Sequence, residues 1–335
     1  MNVLVTGGAG YIGSHTMRAL AAAGHHVVAY DSLETGATEA VLGSPLVVGE
    51  IANAELVRAV CREHSIEGVI HFAAYKNVGA SMQHPASYFD NNVAGTAALV
   101  EAAASEGVRA VVFSSSCSVY GTPEHTPVNE QAPIQPESVY AETKAMSERV
   151  LRWMEATHGV RSVSLRYFNA AGASADNMIG EDWSQSLNLI PLVMKATLGR
   201  HGPVQVFGTD YPTPDGTCIR DYIHVDDLAD AHVRALQYLI DGGATTALNV
   251  GTGVGSSVFD VIRTTERISG RSVPHEIVAR RAGDPVAVFA DPTLVRATLG
   301  WEPRHGLDDV VESAWRWHST HLDGYPSRSR LAADG

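Results

Sequence analysis

Short apolar runs alternate with longer amphipathic stretches through the first half of the chain. The runs are rich in valine and stay apolar at consecutive positions, which is typical of strands buried on both faces of a parallel sheet. This pattern predicts strands at residues 2–6, 26–31, 45–49, 68–72, 110–116 and 161–168. It predicts helices at 11–23, 54–64, 85–106 and 138–156. The alternation indicates an α/β fold with a Rossmann-type, doubly wound parallel sheet.

The alternation of predicted strands and helices becomes less regular after residue 172. Residues 173–185 and 208–219 are polar and rich in turn-forming residues. Helical patterns return at 187–199, 226–241 and 257–269, separated by shorter strands, and 251–255 is a strand-to-helix turn. We therefore predict a first domain over 1–172, to which some later segments return, a smaller C-terminal α/β substrate domain mainly over 173–326, and a mobile tail at 327–335.

A glycine-rich loop follows the first predicted strand. Gly7, Gly10 and Gly13 come directly after it and lead into a helix, where bare backbone lets a phosphate approach the helix N-terminus. Asp31 ends the next strand, 18 residues beyond Gly13. A carboxylate there accepts hydrogen bonds from an adenosine ribose and repels a 2′-phosphate, which predicts NAD rather than NADP. The alternative interpretation is a plain strand-to-helix turn.

A candidate catalytic group lies in the last third of the predicted first domain. Tyr140 and Lys144 stand four residues apart on a predicted helix and so share one face. An ammonium near a phenol favours the phenolate, so we expect Lys144 to lower the pKa of Tyr140 toward useful acid–base chemistry. An exposed helix with an incidental pair is the alternative. Ser116 follows a buried strand at the sheet edge where ligands bind, and can bond the same substrate hydroxyl.

Composition and charge narrow the possible partners. Hydrophobic residues make up 45% and charged residues 18% of the 335, which is ordinary for a globular chain. Asp and Glu total 37 against 24 Lys and Arg, a net charge of −13 that disfavours nucleic acid as a general partner. A local basic pocket for a small anion is compatible with this charge. Cys61, Cys117 and Cys218 form neither a disulfide framework nor a zinc pattern.

Targeting and metal signals are weak in this sequence. The N-terminus shows no signal-peptide pattern, and no apolar run approaches the length of a membrane helix. We therefore expect a cytoplasmic protein with no membrane association. The 15 histidines show no HExxH pattern and no clustered spacing with cysteine, so we predict no metal site. His224 is expected to fix a loop, and Cys117 to act as a small buried residue.

Six stretches of the chain carry a family resemblance: 3–16, 69–85, 88–96, 113–121, 165–173 and 207–233. Together they resemble the UDP-glucose 4-epimerase family of the extended short-chain dehydrogenase/reductase superfamily along nearly the whole chain. The last stretch, with the pattern DGTxxRDYIHVxDLA, is far more restrictive than the cofactor glycines.

The resemblance implies roles for individual residues. The catalytic group it implies is Ser116, Tyr140 and Lys144. The implied NAD-binding residues are Gly7, Gly10, Tyr11, Ile12, Gly13, Asp31, Ser32, Glu50, Ile51, Phe72, Ala73, Ala74, Lys76, Asn91, Ser114, Tyr140, Lys144 and Phe168. The implied residues for the UDP-sugar are Lys76, Ser116, Tyr140, Asn169, Asn188, Leu189, Gln205, Phe207, Arg220, Arg281, Asp284 and Val288.

The chemistry implied by the family is epimerisation at C4 of a UDP-hexose. Tyr140 takes the proton of the 4-hydroxyl while hydride leaves for a tightly bound NAD, the keto sugar rotates, and hydride returns to the opposite face. Arg220 and Arg281 can neutralise the diphosphate through charge-assisted bonds. The alternative for each arginine is a surface ion pair, with Asp221 and Asp284 respectively. Related dehydratases and decarboxylases place acidic residues where this chain has Cys117 and Ser118, which speaks against those reactions.

Three positions depart from the family pattern. Glu50 replaces an aspartate at the adenine, and Ala74 replaces a glycine near the nicotinamide. Val288 leaves more room than the tyrosine at a position that gates N-acetylated sugars, so we hypothesise some activity on UDP-N-acetylglucosamine. A 4-epimerase for a UDP-pentose or UDP-uronic acid, and a non-catalytic NAD-sensing protein, are the rival functions. The superfamily also implies a homodimer, with the helices at 85–106 and 138–156 as its candidate seam.

Overall fold

The computed structural model describes residues 1–281 and 283–327. Its strands are β1 (Asn2–Thr6), β2 (His26–Asp31), β3 (Leu46–Val48), β4 (Gly68–His71), β5 (Ala110–Ser114), β6 (Arg161–Tyr167), β7 (Asn169–Ala171), β8 (Val204–Phe207), β9 (Ile219–His224), β10 (Thr246–Val250), β11 (Gly255–Ser257), β12 (His275–Val278) and β13 (Ala287–Val288). Its helices are α1 (Tyr11–Ala22), α2 (Ala54–Glu63), α3 (Val78–Gln83), α4 (Pro85–Tyr88), α5 (Gly95–Ser105), α6 (Val139–His158), α7 (Leu189–Thr197), α8 (Val225–Ile240), α9 (Val258–Ser269), α10 (Thr293–Leu299) and α11 (Leu307–Thr320). Most of the predicted tail, 328–335, lies outside the described residues.

The large sheet has seven parallel strands in the order β10-β6-β5-β4-β1-β2-β3. Side chains alternate between its two faces, so Val3 and Val5 pack in a layer with α1 and α8. Leu4 points the other way, into the layer formed by α2, α5 and α6. Helices therefore cover both faces, and the strand order is that of a Rossmann sheet, which confirms the predicted fold class.

A smaller group of elements follows β6. β9 pairs with β11, β13 and β7, while β8 pairs with β12. Helices α7, α9 and α11 enclose a separate core that includes Val206, Val261 and Val310. β10 returns to the large sheet beside β6, and α8 packs against α1. The residue limits of the two domains stay a prediction.

The predicted helix at 85–106 is interrupted. A π-helical turn, Phe89–Ala94, separates α4 from α5. There the main-chain oxygen of Asn92 accepts hydrogen bonds from the hydroxyls of Thr96 and Ser147. The Asn92 side chain accepts from the Tyr75 amide and donates to the Tyr75 main-chain oxygen. Wide turns of this kind are frequent at functional sites. Periodicity alone cannot reveal one, because these competing partners come from distant parts of the chain.

Two short features also differ from the sequence prediction. Helix α3 was not predicted, although Asn77 begins it by accepting a hydrogen bond from the Ala80 amide at 2.9 Å. The turn at 251–255 leads first into β11 and only then into α9. Its Gly253 has φ +74°, and the Gly253 amide donates to buried Asp221 at 3.1 Å.

Candidate active site

A cavity of about 320 Å³ opens at the carboxyl ends of the parallel strands. The glycine loop after β1 and Asp31 at the end of β2 form one wall. Tyr140 and Lys144 of α6 form a second wall, and the connection between β7 and α7 forms a third, from Gly180 to Ser186. Open α/β sheets bind ligands at this edge, so the topology alone places these three segments around one ligand site.

The glycine loop holds its shape because side chains are excluded from it. Gly7 has φ +71°, which favours glycine. A Cβ on Gly13 would lie 2.1 Å from the Gly7 oxygen, so this turn of α1 can approach the strand only with glycine there. Within the described residues, no side chain caps α1 and no acidic residue occupies its first turn. The amides at this helix N-terminus therefore suit an anionic ligand such as a diphosphate.

The Asp31 carboxylate is held in a fixed orientation at the cavity wall. Its two oxygens accept hydrogen bonds from the amides of Ala9 at 3.0 Å and Leu33 at 2.9 Å. Asp31 is also buried, at 7% exposure. A carboxylate fixed beside the glycine loop is the arrangement that recognises the ribose hydroxyls of a dinucleotide.

The three predicted catalytic residues meet where β5 and α6 come together. Ser138 begins α6 by accepting a hydrogen bond from the Ala141 amide at 3.2 Å, which sets the helical register. Lys144 then donates from Nζ to the Ser114 oxygen at the end of β5, at 2.7 Å. Ser116 follows β5 and lies beside the Tyr140 phenol, whose pKa it lowers. The geometry can therefore offer one hydroxyl of a ligand both a phenol and a serine.

Burial governs the protonation of this group. It raises the pKa of Tyr140 well above its ordinary value; nearby Tyr167 adds to the rise, and Ser116 opposes it. Burial lowers the pKa of Lys144 to about 7, against the attraction of Glu148. The net shift of the Tyr140 pKa is therefore upward, and the lowering expected from Lys144 stays a prediction. Lys144 Nζ donates to the Ser114 oxygen and lies 5.9 Å from the Tyr140 ring centroid.

Most of the predicted cofactor residues surround the cavity. Those in its wall are Gly7, Gly10, Tyr11, Ile12, Gly13, Asp31, Ser32, Glu50, Ile51, Phe72, Ala73, Ala74, Lys76, Asn91, Tyr140 and Lys144. Ser114 and Phe168 lie behind the wall. The Ser114 hydroxyl donates to the Tyr167 hydroxyl at 2.9 Å, and Phe168 packs with Val119 and Tyr120.

The predicted substrate residues fall into two sets. Lys76 and Tyr140 line the cavity, and Ser116 lies beside Tyr140. The others belong to the elements after β6. Among these, Asn169 begins β7, Asn188 and Leu189 open α7, Gln205 and Phe207 are in β8, Arg220 is in β9, Val288 is in β13, and Arg281 and Asp284 lie between β12 and β13.

Two contacts join several members of the second set. The Arg281 guanidinium stacks over the Phe207 ring, 4.1 Å from its centroid. Arg220 pairs with Asp284 at 3.5 Å and donates to the Pro285 oxygen at 2.9 Å. The Asp284 amide also donates to the Arg281 main-chain oxygen at 3.4 Å, so Asp284 contacts both arginines.

The suggested ion pair between Arg220 and Asp221 is not formed. Asp221 is fully buried, and its oxygens accept from the amides of Thr252, Gly253 and Ala290. Asp221 therefore holds the 251–253 turn, and Asp284 is the acidic partner of Arg220. Neighbours in a strand point to opposite faces, which explains why the adjacent carboxylate turns away.

Sequence reasoning missed several residues in the cavity wall. They include Tyr75, Tyr88, Tyr167, Glu181 and Tyr325. Tyr167 could have been found, because it ends a predicted strand at the ligand-binding edge. Glu181 lies in a polar stretch with no spacing motif, and Tyr325 comes near the far end of the chain, so neither carried a sequence signal.

The remaining site expectations concern metal, His224 and Cys117. Among residues 1–281 and 283–327, no group of three or more His, Cys, Asp or Glu could hold a metal ion. His224 contacts the Ser313 hydroxyl at 3.0 Å and accepts from the Asp226 amide at 3.1 Å, as a loop-fixing residue would. Burial raises the pKa of the Cys117 thiol to about 12, so it is a poor nucleophile. Each described helix falls short of what a membrane crossing needs.

Comparison with known proteins decides the family. The sequence profile of the NAD dependent epimerase/dehydratase family matches residues 3–251, well over half of the chain. The chain belongs to this family. The resemblance found in the sequence motifs is thereby confirmed.

Individual relatives match over nearly their whole length. A UDP-glucose 4-epimerase of Rhizobium meliloti is 47% identical over 96% of this chain and 98% of its own. The UDP-glucose 4-epimerase of Bacillus subtilis is 43% identical over 98% and 99%. Among solved structures, the Brucella ovis UDP-glucose 4-epimerase in complex with NAD superposes with a TM-score of 0.92, at 44% identity over 94% of this chain and 97% of that one.

Proposed function

We propose that this protein is an NAD-dependent UDP-glucose 4-epimerase that interconverts UDP-galactose and UDP-glucose. The observation that carries the proposal is the meeting of Ser116, Tyr140 and Lys144 beside the cavity that also contains the glycine loop. That meeting occurs in a chain 47% identical to a UDP-glucose 4-epimerase. Chemistry and cofactor binding would then share one edge of the sheet.

The cavity fits NAD in three respects. The Gly7 and Gly13 positions admit no Cβ, the N-terminus of α1 suits a diphosphate, and Asp31 presents a fixed carboxylate for a ribose. We assign cofactor binding to the cavity-wall residues predicted from the sequence, with Ser114 and Phe168 as supports behind them. NAD, when bound, supplies the acceptor and donor of hydride at C4 of the sugar.

The chain's own residues would move the proton and hold the nucleotide. Tyr140 exchanges the proton of the sugar 4-hydroxyl, and Ser116 holds that hydroxyl by a hydrogen bond. The Lys144 ammonium favours the phenolate whenever it forms. Arg220 and Arg281 neutralise the diphosphate, while loose contacts to the sugar leave it free to rotate. Firm anchoring of UDP with a mobile sugar is what return of hydride to the opposite face requires.

The substrate range is a separate proposal. Val288 lies in β13 beside Arg220 of β9, and its side chain packs with Val119 and Phe168. A Campylobacter jejuni UDP-Glc/GlcNAc 4-epimerase superposes on this chain with a TM-score of 0.84 at 35% identity. We propose that the protein also accepts UDP-N-acetylglucosamine. Turnover of that substrate at the background rate would show that other residues close the pocket.

Incubation with UDP-galactose and no added NAD, followed by NMR of the anomeric protons, tests the main proposal. Appearance of UDP-glucose up to a stable ratio is the expected result, and it also requires a retained cofactor. Conversion only after NAD is added would support the epimerisation and contradict tight retention of NAD. No conversion even with NAD shifts the assignment to a UDP-pentose or UDP-uronic acid epimerase, or to a non-catalytic NAD-binding role, and a panel of UDP-sugars separates these.

We propose a homodimer located in the cytoplasm. Trp153 of α6 lies on the predicted seam helix at 138–156 and is 71% exposed, so a second copy that covers it would remove a large apolar side chain from water. Cys61, Cys117 and Cys218 are free, which supports a reducing compartment. A mass of two chains by light scattering is expected, and Trp153→Glu should shift it toward one chain.

A further inference from the structure

Glu181 is a buried carboxylate in the wall of the cavity, on the connection between β7 and α7. Its exposure is 4%. The main chain around it is held rigidly: the Trp317 indole donates to the Glu181 oxygen at 3.0 Å, and the Tyr325 hydroxyl bonds both main-chain groups of Gly180 at 3.1 Å. A Cβ on Gly180 would lie 2.5 Å from the Trp317 ring. The position of Glu181 is therefore fixed by packing.

The Glu181 side chain orients Asn188. Its Oε1 accepts hydrogen bonds from the Ser186 hydroxyl at 2.7 Å and from the Asn188 amide nitrogen at 3.3 Å. An amide has two different ends, so this bond decides which way Asn188 faces. With its nitrogen directed to Glu181, Asn188 presents its oxygen elsewhere, as an acceptor.

Glu181 also acts on residues from the opposite side of the cavity. Burial raises the pKa of Glu181, and the Lys76 ammonium is the principal charge opposing that rise. Burial raises the pKa of the Tyr11 phenol too, and Glu181 is the first charge that raises it further. Lys76 and Tyr11 line the same cavity as Glu181. One carboxylate thus faces the predicted cofactor wall and the predicted nucleotide wall.

We propose that Glu181 is a positioning residue for the sugar nucleotide. Its hydrogen bond holds the Asn188 side-chain amide in the orientation that contacts the nucleotide, and its charge attracts the Lys76 ammonium in the wall of the same cavity. This inference rests on the proposed function, which places the UDP-sugar against Asn188 and Lys76. A carboxylate near an anionic ligand is unfavourable unless a cation compensates it, and Lys76 can do so from the same cavity wall.

Calorimetric titration of UDP, with KM and kcat for UDP-galactose, tests the role. Glu181→Ala removes the acceptor and the charge, and we expect Kd and KM to rise about ten- to hundredfold, the range for hydrogen bonds to a charged group. We expect kcat to change much less. The Glu181→Gln side chain can still accept hydrogen bonds from Ser186 and Asn188, so the rise in Kd and KM should be smaller in this variant. Asp176→Asn is the matched control, because Asp176 pairs with Arg18 between the same two parts of the chain but outside the cavity.

Coupling to Lys76 separates positioning from simple structural support. If Glu181 acts through Lys76, the effects of Glu181→Ala and Lys76→Met on UDP affinity will be less than multiplicative in the double variant. UDP affinity within twofold of wild type in Glu181→Ala, or fully multiplicative effects, would overturn the proposal. Loss of thermal stability with unchanged affinity in the folded protein would do the same. A wild-type protein that binds UDP but converts no UDP-galactose would refute the proposed function, while the UDP affinities still decide the role of Glu181.

Discussion

The Lys144 ammonium donates a 2.7 Å hydrogen bond to the main-chain oxygen of Ser114. This bond ties α6 to the end of β5, and it places a cation 4.8 Å from the centroid of the Phe113 ring in an almost fully buried site. The helix that supplies Tyr140 and the strand that leads to Ser116 are thereby held together. The cost of burying the cation is visible in its lowered pKa.

Tyr140→Phe tests the acid–base role. Removing the phenol hydroxyl deletes the group that exchanges the proton with the sugar, and we expect turnover to fall by roughly 10²–10⁴. UDP affinity should stay within about twofold, since the ring is kept. Tyr238→Phe is the control, because the Tyr238 hydroxyl accepts from the Ala244 amide just before β10, at the sheet edge opposite the cavity. Unchanged turnover in Tyr140→Phe would contradict the mechanism.

Lys144→Met tests the buried cation through the pH dependence of stability. Burial lowers the folded pKa of Lys144 to about 7 from its ordinary value of 10.5. Between these two values the unfolded chain binds a proton that the folded chain does not, so the contribution of Lys144 to stability rises with pH across that window. Below pH 7 Lys144 is charged in both the folded and the unfolded chain, so the full cost of burying the ammonium opposes folding.

Urea unfolding of wild type and Lys144→Met at pH 6 and pH 9 measures this effect. The quantity compared is the free energy of unfolding of the variant minus that of wild type. We expect it to be about 2–3 kcal/mol larger at pH 6 than at pH 9, because one pKa unit is worth about 1.4 kcal/mol. Other titrating groups cancel in the comparison. An equal difference at both pH values would show that the folded pKa is not depressed.

Gly13→Ala tests the close contact in the glycine loop. The new Cβ would meet the Gly7 oxygen at 2.1 Å, so α1 must move away from the loop that is proposed to hold the diphosphate. We expect a lower unfolding temperature and little NAD retained after purification, measured by nucleotide release. Gly202→Ala is the matched control, with open space around its Cβ. Equal NAD content in the two variants would argue against the loop as the cofactor site.

The buried pair of Glu148 and Arg166 supports the catalytic segment. Both Arg166 Nε and Nη2 donate to Glu148, which also accepts from the Ser115 hydroxyl at 2.6 Å. Glu148→Ala leaves the guanidinium unpaired, and we expect a loss of about 3–5 kcal/mol in the free energy of unfolding. The double change Glu148→Leu and Arg166→Met should lose clearly less. Denaturant unfolding measures both, and equal losses would rule out a strong coupling between the two charges.

Local sequence signals determined the Rossmann half of this protein and its cofactor loop. Apolar runs located β1, β2, β4, β5 and β6 closely, because strands buried on both faces must be apolar at every position. Gly7, Gly13 and Asp31 were found because their role depends on backbone shape and spacing within one strand–helix–strand unit. Tyr140 and Lys144 were paired correctly because a helix places residues four apart on one face.

Only the tertiary structure decided how the rest of the site is assembled and charged. It turned Lys144 toward Ser114 and buried Tyr140, so desolvation outweighed the attraction that sequence spacing suggested. It also placed Glu181 beside Asn188, in the wall of the cavity that Lys76 lines. Burial and charge–charge distance depend on residues far apart in the chain, whereas strand, helix and glycine-loop patterns depend on neighbours. That is why the sequence determined the fold class and the grouping of Ser116, Tyr140 and Lys144, while protonation and positioning required the folded chain.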